Sequence, residues 1–216
     1  DFDASGKRLV SIHQVRFRDL VLRRKPVGNP DVESAATLLA EAVYAGRFAI
    51  KAWDYRVEQW ISRINSLSLW CPELEIPPVS DEVRRTLLHR ICSGAFSGRE
   101  VRDRPVWPVL RQWLDPAQQV DLDTYVPEKF SLPSGRNVKI TYDECNPPKI
   151  AARIQDLYGV KDVLTIAKNR IRLCIHVLAP NQREVQITDS LRGFWENTYP
   201  VVKKELQRRY PKHEWR

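Results

Sequence analysis

Residues 171–188 read IRLCIHVLAPNQREVQIT, and this stretch decides the fold of the C-terminal part of the chain. Apolar side chains stand at every second position from 171 to 177, which is the period of a half-buried strand. Residues 179–183 are typical of a turn, and Val185 with Ile187 continue the pattern in a partner strand. The stretch therefore predicts two neighbouring strands of one sheet.

The residues upstream predict a further strand and a helix. Val138, Ile140 and Tyr142 alternate with polar residues and indicate a half-buried strand. The pair Pro147-Pro148 favours the start of a helix, which Gly159 would end. Its apolar face would carry Ile150, Ile154, Leu157 and Tyr158.

The residues downstream predict a terminal helix. Thr188 or Asp189 caps it, and its apolar side carries Leu191, Trp195, Val202 and Leu206. Pro200 falls inside this pattern and is expected to split the helix, because proline removes a backbone donor.

The N-terminal half has a different character. Residues 8–25 alternate apolar and basic side chains and predict a β-hairpin, which needs further cover because a hairpin alone cannot hide an apolar face. Residues 32–114 predict helices, one of them ended by Gly46 and another capped by Ser80 or Asp81. The expected class is α+β: a β remnant of an OB-like module (1–27), a helical region (28–125) and a small mixed sheet with flanking helices (126–216).

The composition of the chain narrows the classes of function and partner to be expected. The chain has 216 residues with 35 basic and 27 acidic ones, a net charge of +8, which favours an anionic partner such as RNA. No apolar run approaches the ~20 residues of a transmembrane helix, so no membrane association is expected. Four widely spaced cysteines indicate free thiols and a cytoplasmic location.

The motifs of common catalytic sites are missing from the sequence. The only Gly-Lys pair, Gly6-Lys7, lacks the upstream glycine and the following Ser or Thr of a phosphate-binding loop. Cys174 and His176 share one strand face, but two ligands do not make a zinc site. We expect no catalytic, cofactor or metal site here.

The terminal helix carries the strongest candidate site. Residues 192–216 contain seven basic and three acidic residues, and cations interleaved with aromatic rings suit a nucleic acid. The expected phosphate contacts are Arg192, Lys203, Lys204, Arg208, Arg209 and Lys212. Tyr210 and Trp215 are candidates for base stacking, with core packing as the alternative. A second basic set comprises Arg136, Lys139, Lys168, Arg170 and Arg172, of which Lys139, Arg170 and Arg172 are candidate contacts. Lys139 could share a face with Arg172 if their strands pair.

Two strings resemble a known family. The run from Thr141 to Gly159, with Asn146-Pro147-Pro148 at its centre, is similar to the C-terminal region of HrpB-type ATP-dependent RNA helicases. The ending Arg-Arg-Tyr-Pro-Lys-His-Glu-Trp at 208–215 resembles the closing motif of that family. The resemblance implies that ATP and Mg²⁺ are bound by motor domains elsewhere in the parent protein, with none in this piece.

Together these observations predict a noncatalytic accessory region of a bacterial helicase. It would bind RNA or another single-stranded nucleic acid, or dock on the motor domains of the same chain. The alternative is a protein–protein interaction module without direct contact to nucleic acid, for which the Pro- and Trp-rich residues 104–108 are a candidate surface.

Overall fold

A hairpin opens the computed structural model, which describes residues 1–3, 6–28, 30–161 and 163–216. Strand β1 (Ile12–Phe17) pairs antiparallel with β2 (Leu20–Pro26), so the predicted hairpin is confirmed. Most of its side chains are exposed, Phe17 at 66% and Leu20 at 65%. Its assignment to an OB-like module stays a prediction, and two members of that segment, Ala4 and Ser5, lie outside the described residues.

Two helices pack together after the hairpin. The Asp31 carboxylate accepts a hydrogen bond from the Ser34 backbone N–H at the start of α1 (Val32–Tyr44). Later in the chain another helix, Asp81–Cys92, begins in the same way at Ser80, as predicted. The two bury small and aliphatic side chains against each other, chiefly Ala35, Ala36, Leu39, Leu87 and Ile91.

In the sequence, α2 (Tyr55–Trp70) comes between these two helices, and it buries Val57, Ile61, Ile64 and Leu67. With the helix at Asp81–Cys92 counted as α3, three shorter helices follow: α4 (Gly98–Arg102), α5 (Trp107–Leu110) and α6 (Pro116–Tyr125). A capping box between Asp115 and Gln118 starts α6, and Pro116 occupies its first turn.

A five-stranded mixed sheet follows α6. Its first three strands are β3 (Lys129–Ser131), β4 (Asn137–Thr141) and β5 (Lys149–Arg153). A separate two-stranded ribbon, β6 (Thr165–Ile166) and β7 (Ile171–Arg172), intervenes before β8 (Cys174–Leu178) and β9 (Glu184–Thr188). The order is β3-β4-β5-β8-β9, antiparallel except for the parallel pair β5 and β8. The predicted pairing is confirmed for β8 and β9, whereas Ile171–Arg172, predicted as the start of the same strand, pair with β6 in the separate ribbon.

The prediction of a helix after Pro148 is wrong. Residues Lys149–Arg153 form the central strand β5, and only Ile154–Leu157 make a turn of 3-10 helix. Ile150 and Ala152 are buried while Lys149 and Ala151 are exposed, which is the alternation of a strand. Alanine at two successive positions hid this period, and pairing with two neighbouring strands overrides its helical preference.

The terminal helix is interrupted where proline enters. It runs as α7 (Leu191–Gly193), a π-helical segment (Phe194–Thr198) and α8 (Tyr199–Arg209). Pro200 lies in the first turn of α8, so its missing N–H falls beside the wider π turn, which agrees with the predicted split.

The described residues cluster into two compact units. The first contains Asp1–Glu58 and Val79–Leu114, and the second contains Gln59–Pro78 and Asp115–Arg216. The helical range 28–125 is thus divided between units, while the boundaries expected at 27 and 125 stay a prediction. Helices and a small mixed sheet confirm the α+β class.

Candidate nucleic-acid interface

The second half of α8 presents three exposed cations, Lys204, Arg208 and Arg209, which we name the basic ridge. Lys204 and Arg208 are four residues apart and lie on the face away from the buried Tyr199 and Leu206. Within the described part of the chain, none of the three forms a salt bridge, and the same holds for the exposed Arg192 and Lys212. These five predicted contacts are available to a partner.

Lys203 has a different environment from its neighbour Lys204. Its Nζ donates to the backbone oxygen of Arg216 at 2.7 Å and lies 5.8 Å from the centroid of the Tyr199 ring. The side chain therefore fastens the end of the chain onto α8. A phosphate would have to compete with this contact.

The two candidate stacking rings are half-buried. The indole Nε1 of Trp215 donates to the backbone oxygen of Tyr210 at 3.0 Å. Tyr210 in turn lies edge-on to His213, with ring centroids 6.1 Å apart. Both aromatic side chains therefore stabilise the turn after α8 and keep part of their surface accessible.

An aromatic cluster anchors α8 to the second unit. The Trp195 ring lies 4.8 Å from Phe194 and 5.0 Å from Tyr199, and its Nε1 donates to the backbone oxygen of Val160 at 2.7 Å. The Tyr199 hydroxyl is 2.9 Å from that of Tyr158, and it donates to the Arg216 oxygen at 2.8 Å. Burial, followed by the bond with Tyr158, raises the pKa of Tyr199. Sequence reasoning missed this network, although the spacing of residues 194, 195 and 199 was a signal.

Arg170 is held in an internal clamp. Its Nη1 donates to the backbone oxygen of Trp70 at 2.9 Å and to the Glu73 carboxylate at 2.8 Å, while Lys168 donates to the other Glu73 oxygen at 2.9 Å. Hydrogen bonds from Arg170 first and Lys168 second lower the pKa of Glu73 to about 2. Arg170 is a structural residue as well as a predicted contact.

The preceding turn is strained. Ala167, Lys168 and Asn169 all have positive φ angles, of 51°, 56° and 64°. Non-glycine residues rarely adopt this region, and here three do so in succession. The clamp on Glu73 offsets part of that cost.

Lys139 and Arg172 do not share a sheet. Lys139 is on β4, which pairs with β3 and β5, whereas Arg172 is on β7, which pairs with β6. The strands do not pair, so the condition under which Lys139 and Arg172 would share a face is not met. Arg172 is 66% exposed, with its Nη1 3.5 Å from Asp189.

Arg172 and Arg170 line an open cleft of about 640 Å³ in the second unit. Trp70, Leu69 and Pro147 supply apolar surface. Acidic side chains from Asp143, Glu144 and Asp189 offset the two arginines, so the cleft is not a strongly basic site.

Candidate metal ligands are scattered among the described residues. The described part of the chain contains no group of three or more His, Cys, Asp or Glu side chains placed to hold a metal ion. His176, a predicted neighbour of Cys174, is bonded instead to Glu184. No described helix has the length and apolar content needed to cross a bilayer.

Comparison with known proteins gives consistent results. Residues 87–216 match the family described as ATP-dependent helicase C-terminal. The chain is 31% identical over 217 residues to the ATP-dependent RNA helicase HrpB of Escherichia coli K12, covering 99% of this chain and 27% of that protein.

Two solved structures are also similar. The crystal structure of the E. coli DExH-box NTPase HrpB matches with a TM-score of 0.81 at 30% identity, over 100% of this chain and 27% of that one. A crystal structure of the Escherichia coli DEAH/RHA helicase HrpB matches with a TM-score of 0.71 at 30% identity, over 99% of this chain and 27% of that one. The chain thus spans about a quarter of the length of these relatives. Because the family match covers more than half of its residues, the chain belongs to the HrpB-type ATP-dependent helicase C-terminal family.

Proposed function

We propose that this chain is a noncatalytic accessory region of an RNA helicase and that it contributes to RNA binding through the basic ridge. The observation that carries the proposal is that Lys204, Arg208 and Arg209 are exposed and lack acidic partners among the described residues. Other cations of the same unit, such as Arg63 and Arg170, form salt bridges with carboxylates of that unit. Exposed cations without partners are those that can release counterions from a phosphate backbone.

The relatives support the RNA partner. The E. coli relative is described as an ATP-dependent RNA helicase, and by extension the parent of this chain would use ATP and Mg²⁺ in motor domains of the same polypeptide. The accessory region would hold RNA beside those domains in the cytoplasm. The exposed β1–β2 hairpin would complete an OB-like module there.

Docking on the motor domains is the second candidate. Val201 is 72% exposed and follows the helical face of Lys204 and Arg208, so this face offers apolar as well as charged surface. Apolar exposed surface beside charge is typical of a protein interface. Loss of motor contact without loss of RNA affinity in ridge variants would favour this role.

The test is RNA binding by the 216-residue chain, followed by fluorescence anisotropy on an oligo(U) of about 20 nucleotides. We expect the triple substitution K204Q/R208Q/R209Q to weaken binding at ~50 mM salt about tenfold or more and to flatten the salt dependence. A matched variant, R90Q/R99Q/K161Q, removes the same charge from exposed positions outside the ridge and should retain most of the affinity. Equal losses in both variants would refute the ridge as an RNA site.

A further inference from the structure

The open cleft of the second unit combines apolar walls with charges of both signs. Its volume of about 640 Å³ is in the range of pockets that bind small molecules or single residues of a polymer. Leu69 and Trp70, at the end of α2, supply one apolar wall, and Pro147 and Pro148 supply another from the loop between β4 and β5. Because Leu69 is exposed, this apolar surface is accessible to a ligand.

The Trp70 side chain is fixed by the fold and lines the cleft. Its ring centroid is 6.4 Å from that of the buried Tyr142, and its backbone oxygen accepts a hydrogen bond from Arg170 at 2.9 Å. The residue as a whole remains half-buried. A flat ring held in this way at the wall of a cleft offers a platform on which another planar group can stack.

Arg172 and Asp189 form the accessible charged pair of the cleft. Their side chains are 66% and 61% exposed, and the Arg172 Nη1 atom lies 3.5 Å from the Asp189 carboxylate. Among the described residues, Arg172 is the one hydrogen-bond partner of that carboxylate. A long, exposed ion pair contributes little to stability, so a ligand can replace the contact at small cost.

The other charged side chains of the cleft have contacts of their own. Arg170 donates to Glu73, Glu144 accepts from the Asn65 amide at 2.9 Å, and Asp143 accepts from a backbone N–H two residues further along. In total, two arginines and three carboxylates line the cleft. This balance disfavours a phosphate group and favours a neutral planar group that carries both donors and acceptors.

Guanine is the RNA base that matches an arginine beside a carboxylate. Its O6 and N7 atoms accept two hydrogen bonds from a guanidinium, and its N1–H and N2 amino groups donate two to a carboxylate. Cytosine offers a carboxylate its N4 amino group alone. Proteins read unpaired RNA bases by stacking them on aromatic rings and by hydrogen bonds to their edges. Trp70, Arg172 and Asp189 supply these three elements in one cleft.

We propose that the cleft binds a guanine base of single-stranded RNA. The base stacks against Trp70, Arg172 donates to its O6 and N7 atoms, and Asp189 accepts from its N1–H and N2 amino groups. The proposal rests on the proposed RNA partner. It adds base specificity that the basic ridge does not provide, since phosphate contacts carry no direct sequence information.

The test compares two RNAs of about 20 nucleotides on the 216-residue chain by fluorescence anisotropy. One is oligo(U), and the other is the same oligomer with a central guanosine. We expect the wild type to bind the guanosine RNA about threefold to tenfold more tightly, whereas a central cytidine should give less than about half of that gain. The ratio of the two affinities cancels most of the effect of net charge, which acts on both RNAs.

Two single variants and two matched controls assign the preference to the cleft. D189N and R172Q should each bring the affinity ratio close to one. K51Q and D103N remove the same charges from another exposed ion pair, whose side chains are 60% and 63% exposed, and should keep the ratio of the wild type. A preference that survives both D189N and R172Q would overturn the proposal.

Modified bases test the two contacts separately. Inosine lacks the N2 amino group that Asp189 accepts from, and 7-deazaguanosine lacks the N7 atom that Arg172 donates to. In the wild type, each should lose most of the gain given by guanosine. Inosine and guanosine should bind equally to D189N, and 7-deazaguanosine and guanosine should bind equally to R172Q. Additive losses in the variants would contradict the assigned contacts.

Alkylation of Cys145 locates the base without relying on affinity. This residue is exposed and lines the cleft, whereas Cys71 and Cys92 are buried. At saturation, the guanosine RNA should slow alkylation of Cys145 severalfold more than oligo(U) does, as followed by mass spectrometry of its peptide. D189N should lose the difference, and equal rates with the two RNAs in the wild type would overturn binding in the cleft.

The outcomes separate this proposal from that of the basic ridge. If the wild type binds neither RNA at ~50 mM salt, the RNA partner fails and the guanine site fails with it. If it binds the two RNAs equally, the guanine site is overturned and the ridge still stands on its own variant. Equal preference for cytidine and guanosine would also overturn the site as described.

Discussion

Arg63 and Arg208 are both arginines on helices of the second unit, and their surroundings are opposite. The Arg63 side chain is 3% exposed, and its Nε donates to the backbone oxygen of Val126 at 2.7 Å. It also forms ion pairs with Asp123 at 2.6 Å and Glu128 at 3.3 Å. Arg208 is exposed, and no described acid pairs with it. The same residue type therefore stabilises the fold in one place and is available to a partner in the other.

The difference comes from backbone groups that need a donor. Val126 directly follows α6, and its carbonyl accepts a hydrogen bond from Arg63 Nε, whereas the Leu122 carbonyl accepts both from the Val126 N–H and, at 3.4 Å, from Arg63 Nη2. Arg63 enters from α2 and donates to both with one planar group, and a cation is also favoured at that end of a helix. No described carboxylate forms a salt bridge with the three cations of the ridge, so their charge stays available to a partner.

The largest effect is expected from removing Arg63. Arg63→Met keeps most of the side-chain volume but removes the Arg63 donor from the Val126 carbonyl, and we expect a loss of about 2–3 kcal/mol in the free energy of unfolding. This loss is at the lower end of what breaking a buried ion pair costs, because the Asp123 and Glu128 side chains are 74% and 72% exposed and water can solvate them in the variant. Urea unfolding measures it. Arg208→Met is the matched control and should stay within about 0.5 kcal/mol. Equal effects would erase the distinction between the two arginines.

A smaller effect is expected at the anchor of α8. Tyr199→Phe keeps the ring contacts with Trp195 but removes the hydroxyl bonded to Tyr158 and to the Arg216 oxygen. We expect a loss of about 1 kcal/mol, again from urea unfolding. The hydroxyl of Tyr210 makes no hydrogen bond within the described structure, so Tyr210→Phe should change stability by less than about 0.5 kcal/mol. A larger loss in the Tyr210 variant would contradict the assignment of the anchor.

The smallest effect concerns the clamp around Glu73, and it depends on pH. The pKa of Glu73 is lowered from 4.5 to about 2 in the folded chain, so the clamp stabilises fully above pH 4.5. That contribution is lost as the pH falls toward 2. Glu73→Gln should therefore lower the urea midpoint slightly at pH 6 and converge with the wild type near pH 2. Glu75→Gln, an exposed neighbour, is the control, and a constant difference across this range would contradict the pKa shift.

Local patterns carried much of the prediction. The alternation in β8 and the Pro200 interruption were readable because each depends on neighbours in sequence. Ser80 was recognised as a cap for the same reason. The strand at Lys149–Arg153 was not recognised, because Ala151 and Ala152 blur its period and its stability comes from distant strands.

The candidate site shows the same division between local features, which the sequence predicted, and contacts between distant residues, which it did not. The sequence predicted a basic terminal helix, and the structure leaves Lys204, Arg208 and Arg209 exposed there. It did not reveal that Lys203 would fasten Arg216, or that Arg170 would clamp Glu73 across 97 residues of sequence. Nor did it indicate that Trp70, Arg172 and Asp189 line one cleft, which needs segments distant in sequence.

The sequence by itself therefore determined the net charge, the Ser80 cap, the strand period of β8 and the likeness to a helicase family, because these follow from composition and from residues a few positions apart. Only the tertiary structure decided which cations form hydrogen bonds and salt bridges with carbonyls and carboxylates, and which stay exposed. The reason is that the partners of a charged side chain come from residues distant in sequence. Folding places these groups beside the charge and sets how much water still reaches it.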